Sequence, residues 1–189
     1  MSMDKTINEL LSGEQFHFMS EPDKNFIVAF DKVINDFGYD YGGIIFEKGD
    51  KILYEVRYGK TGTKARKVAA TIDITESGIF LRFNLYTPVI FRRKMEESRF
   101  FIENAPKHIK DAFTNSGKEA CRQCNDNCSK YSYTLDEKLY EFCSGECKFT
   151  NPENDKLTDY IELFSKFYTR IKYVNKSNKI SLGEKQWSR

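Results

Sequence analysis

The stretches "GIIFEKGDKILYEVRY" at 43–58 and "ARKVAATIDITESGIFLRFNLY" at 65–86 decide the fold. In both, apolar residues recur at every second position, the period of a strand with one buried face. Ile52, Tyr54, Val56 and Tyr58 alternate in the first; in the second, Val68, Ala70, Ile72 and Ile74 alternate outward and Ile79, Leu81, Phe83 and Leu85 alternate back. Lys48-Gly49-Asp50 and Glu76-Ser77-Gly78 supply the turns. Connections this short join antiparallel strands, because a parallel pair needs a long crossover. The expectation is an antiparallel meander of about four strands.

Upstream of the meander, "SEPDKNFIVAFDKVINDFG" at 20–38 changes to helical spacing. Phe26, Phe30, Val33 and Phe37 recur three and four apart, with Ile27 and Ile34 beside them. Ser20 is a capping residue, Pro22 suits the first turn, and Gly38 suits the position just past the end. Downstream, Pro88 ends the sheet because proline has no N–H for a ladder and restricts the residue before it. Helical spacing resumes over 89–103, with Phe91, Met95 and Ile102 as buried candidates, and again from Pro106 through Ile109 and Phe113. "NDKLTDYIELFSKFYTRIKYV" reads as a last amphipathic helix with Leu157, Ile161, Phe164, Phe167 or Tyr168, and Ile171 on its face. The order predicts one α+β domain over 1–189: an antiparallel sheet packed with helices, an inserted cysteine module at about 118–152, and a polar, mobile tail at about 175–189.

The totals fit that scheme. A chain of 189 residues builds one good core without disulfides, and 40% apolar with 31% charged residues is the balance of a soluble globular protein. The N-terminus carries early acids and no apolar run of the length a secretory signal needs, and no segment is apolar enough to span a membrane. A cytoplasmic location and no membrane partner are therefore expected. The formal net charge of +2 gives no global attraction to polyanions.

All five cysteines fall between 121 and 147, in "CRQCNDNC" and "CSGEC". A reducing compartment and an odd count both argue against a disulfide framework. Cys121 and Cys124, two residues apart, can point both sulfurs at one ion, and "YSYTLDEKLYEFC" reads as a hairpin that returns the chain to the same point with Cys143. Cys147 completes a C-x2-C-x18-C-x3-C pattern for Zn2+; Cys128 is the alternative fourth ligand. Four thiolates also hold an iron-sulfur cluster, and a Cys121–Cys124 dithiol is a redox alternative, but no Cys-Pro follows and no βαβ strand precedes.

The run Phe142, Cys143, Ser144, Cys147, Lys148, Phe149, Asn151 and Pro152 resembles the end of TRASH and YHS-type treble-clef fingers. The resemblance covers about 121–152 and implies a small zinc-binding module, in families often linked to metal sensing or handling. Here Asn151 comes soon after Phe149, where the family has part of a helix.

"YGKTGTKARK" at 58–67 contains Gly-Lys-Thr, but the glycine that a phosphate loop needs five positions earlier is replaced by Tyr54. What remains is a basic ribbon of Arg57, Lys60, Lys64, Arg66 and Lys67, a candidate for contact with nucleic-acid phosphates. His17 and His108 have no serine or carboxylate partner at a recognised spacing, and the acids Glu96 and Glu97 lie among charged helix residues. The expected protein is a non-enzymatic binding or regulatory module with structural zinc; nucleic-acid binding, thiol redox chemistry and metal handling are its rivals.

Overall fold

The computed structural model describes residues 6–49, 51–61, 67–84, 88–115, 131–142 and 146–168. Cys121, Cys124, Cys128 and Cys143, the ribbon residues Lys64 and Arg66, and the tail lie outside the described residues.

The first helix, α1 (Ile7–Leu11), is short and depends on its cap: the Thr6 side chain accepts from the Glu9 N–H while the Glu9 carboxylate accepts from the Thr6 N–H. It buries Ile7 and Leu11 and leads through a 3-10 turn, Glu14–Phe16, into α2 (Glu21–Asp36). That helix begins at the anticipated cap, with the Ser20 side chain accepting from the Asp23 N–H. Phe26, Ile27, Phe30 and Ile34 are fully buried on its inner face, and Gly38 takes the left-handed φ of 86° that turns the chain out. Gly38 hands over to β1 (Tyr39–Asp40).

The meander follows as β2 (Ile45–Gly49), β3 (Ile52–Lys60), β4 (Val68–Thr75) and β5 (Gly78–Asn84), antiparallel throughout. Cross-strand partners such as Val56 with Ile72 and Ile72 with Leu81 keep the apolar alternation on one face, so the register follows from the pattern. α3 (Pro88–Glu103) and α4 (Lys107–Asn115) come next, and Phe91, Met95, Ile102, Ile109 and Phe113 are all buried. A separate two-stranded hairpin, β6 (Tyr131–Leu135) with β7 (Lys138–Phe142), turns at Asp136 and Glu137, both at positive φ. Then β8 (Glu146–Thr150) returns to the main sheet, and α5 (Leu157–Phe167) closes the core.

The main sheet has six strands, not the four that alternation suggests. Its path is β1-β3-β4-β5-β8, with β2 also pairing to β3. β1 is only two residues long, too short to carry a period. β8 pairs antiparallel to β5, with Cys147 opposite Phe83 and Phe149 opposite Leu81. The segment 146–150, expected inside the inserted cysteine module, is therefore part of the domain's sheet. Aromatic rings tie the layers together: Phe30 meets Tyr58 edge-on at 5.2 Å, and Phe83 meets Phe164 at 5.4 Å.

Candidate metal centre

Among the described residues, the candidate metal ligands are represented by Cys147. Its side chain points from β8 into the core, 1% exposed, on the same strand face as Phe149. Desolvation in this apolar setting pushes its thiol well above the usual range. Among the described residues no three His, Cys, Asp or Glu side chains gather as a metal-holding group.

The hairpin that should carry the chain back to the metal is present. Tyr131 pairs with Phe142 at its open end, so the two strands leave side by side toward 130 and 143. Its inward residues fix it to the domain. Tyr133 is buried, donates its hydroxyl to the Phe113 carbonyl, and stands edge-on to Phe91 at 5.6 Å. Tyr131 meets Phe91 at 5.2 Å, and Leu135 is buried beside them. Burial first, then the fields of Cys147 and Tyr140, raise the Tyr133 phenol.

Of the basic ribbon, Arg57, Lys60 and Lys67 are described. Arg57 faces away from the helices, where its Nε–H donates to the Glu55 carboxylate and its guanidinium stacks over the Phe46 ring at 4.5 Å. Lys60 ends β3 opposite Tyr39, and Lys67 is exposed just before β4.

Arg57 belongs to a cluster that sequence reasoning missed. On the sheet face opposite the helical core, Glu55 and Asp73 stand directly across from each other on β3 and β4. Arg82 on β5 donates from Nη2 to Asp73 Oδ1 at 2.8 Å, its Nε lies within ion-pair distance of Oδ2 at 2.7 Å, and Nη2 reaches Glu55 Oε2 at 3.3 Å. Lys48 adds a contact of 3.7 Å to Glu55, and Lys148 lies over the Phe80 ring at 4.0 Å. Each carboxylate has a cation, so the cluster reads as an ion-paired brace across four strands. The signal was visible as charges interleaved with the apolar positions in "YEVRY", "TIDIT" and "FLRFN".

His108, for which the sequence offered no partner, meets Asp159 across the fold at 3.1 Å from Nε2 to Oδ2, with the Tyr160 ring edge-on at 5.5 Å. The pair links α4 to α5. His17 is exposed beside the 3-10 turn.

No protein-family model, curated protein or solved structure matches the chain. Among the described residues, no helix is long and apolar enough to cross a membrane.

Proposed function

We propose that the protein is a zinc-binding, non-enzymatic binding or regulatory protein whose metal is structural, held by the thiolates of Cys121, Cys124, Cys143 and Cys128. The observation that carries this reading is the Tyr131–Phe142 register at the open end of the hairpin. Cys128 precedes Tyr131 by three residues and Cys143 follows Phe142 directly, so both are tethered to one point by spans of at most about 11 Å. Cys121 and Cys124 add the two-residue spacing that suits one tetrahedral ion. Cys147, the other candidate for the fourth position, is better accounted for as a core residue, since its side chain is 1% exposed on the inner face of β8 beside Phe149. Four thiolates fill the shell and leave no position for water, which favours a folding role over catalysis.

Protein purified without added metal should carry about one zinc per chain and no visible absorption. Cys128→Ser should lose the metal. Cys147→Ser should keep it, while losing about 1–3 kcal/mol of stability from a hydroxyl placed in an apolar site. A visible band with bound iron would replace zinc by an iron-sulfur cluster. Loss of zinc in Cys147→Ser, with full occupancy in Cys128→Ser, would restore Cys147 as the ligand.

A nucleic-acid role for the ribbon is the second reading, and the Arg57 pairing with Glu55 counts against it. Steep salt dependence of binding to random DNA or RNA would revive it.

A further inference from the structure

The start of α2, the β4–β5 turn and the residue after β8 meet around an open-mouthed cavity of about 390 Å3. That is within the range of about 300–1,000 Å3 usual for small-molecule sites. Met19 and Ile79 give it a buried apolar floor, and Phe18, 44% exposed, adds an aromatic ring to its wall. On the side of the turn, the Asn151 side chain lies against Gly78.

The wall has few hydrogens left to donate. The Ser20 hydroxyl donates to Asp23 Oδ2 at 2.7 Å while its oxygen accepts from the Asp23 N–H. The buried Thr75 hydroxyl donates to the Gly78 carbonyl at 2.8 Å, so in the 3.2 Å contact between Ser77 Oγ and Thr75 Oγ1 the hydrogen comes from Ser77. What remains for a ligand is lone pairs, the carboxylates of Asp23 and Glu76, and one side-chain donor, Asn151 Nδ2. No lysine or arginine lines the cavity, and among the described residues neither carboxylate has one within ion-pair distance. The positive end of the α2 dipole is offset by the first-turn acids Glu21 and Asp23. Two negative charges and a surplus of acceptors call for a cation that carries hydrogens.

We propose that this cavity binds a small aliphatic amine, whose ammonium groups donate to the Asp23 and Glu76 carboxylates while its carbon chain lies along Phe18 and Met19. The face of the Phe18 ring adds attraction for the charge. A quaternary ammonium has no N–H to give to the acceptors and fits less well. A divalent ion would find two carboxylates at most, since among the described residues no three His, Cys, Asp or Glu side chains gather.

The test is a titration of the full chain, as purified, with 1,4-diaminobutane, followed by amide NMR shifts at pH 7. Saturable shifts at residues 18–23, 75–79 and 151, with a Kd of about 1 mM or tighter, support the site. 1,4-Butanediol, the same chain without the charges, should bind about tenfold more weakly. Glu76→Gln, on an exposed turn, should weaken the diamine about two- to fivefold and leave the melting temperature unchanged. Equal binding of the diol, an unmoved affinity in Glu76→Gln, or an absence of saturation would each overturn the proposal. Shifts confined to the hairpin ends at 131 and 142 would place the amine at the proposed zinc and overturn it too. The same cavity shifts produced by Mg2+ at lower concentration would replace the amine by a metal.

Discussion

Arg82 shows how much can depend on one side chain in a sheet. Among the described residues its guanidinium pairs with both Asp73 and Glu55, and those carboxylates keep only 4% and 8% of their side-chain surface. Removing it leaves Asp73 as a nearly buried charge whose ion-pair partner is gone, so Arg82→Ala should cost about 3–5 kcal/mol in urea unfolding. Arg57 is more exposed, and Glu55 keeps Arg82 and Lys48 without it. Arg57→Ala should therefore cost under about 1 kcal/mol. Equal losses in the two variants would show that the brace is not centred on Arg82. From the sequence, the charges at 55, 57, 73 and 82 were visible, but their pairing was not, because it depends on the register of three strands. The same limit applies to Asp159 and His108, which are brought together only when α4 and α5 pack.

At the scale of elements, legibility follows how local the physics is. α2 could be read nearly to its ends because its cap, its period and its terminal glycine all lie within one segment. Phe30 anchors it against Tyr58 and Phe83, so Phe30→Ala should cost about 3–5 kcal/mol, measured as a shift of the denaturation midpoint. The β4–β5 turn was also legible, and Gly78 is required there on two counts. Its φ of 132° is unfavourable for any side chain, and an added Cβ would run into the Asn151 side chain. Gly78→Ala should lower the melting temperature and loosen the β5–β8 edge, seen as faster amide exchange at Asn151, whose N–H donates to the Ile79 carbonyl at 2.9 Å. By contrast, β8 was hidden. Five residues with two inward side chains, one of them a cysteine, look the same whether they end a finger or edge a sheet. What separates the two is the ladder to β5, a contact more than sixty residues away in the chain.

For the whole molecule, the arrangement of the hairpin bears on what the proposed zinc would do. A zinc site that folds an isolated module is a two-state device, in which the apo form is unfolded. Here the hairpin is docked by its own side chains, through Tyr131 and Tyr133 against Phe91, Tyr133 against Phe113, and Leu135 in the core. β8, which follows it, is held by β5 and by Phe149 packed on Phe83 and Tyr160. Stripping the metal with a strong chelator should therefore leave one cooperative thermal transition, with the β3–β4–β5 amides still protected from exchange. The melting temperature should fall by an amount that grows with the free zinc used in the holo sample, since a ligand that binds only the folded state stabilises by mass action. New exchange should be confined to the chain ends at 131 and 142, where the hairpin opens toward the cysteines. An apo protein that loses sheet protection altogether would mean that the zinc organises the domain itself, and the aromatic docking of the hairpin would then be a consequence of metal binding rather than independent of it.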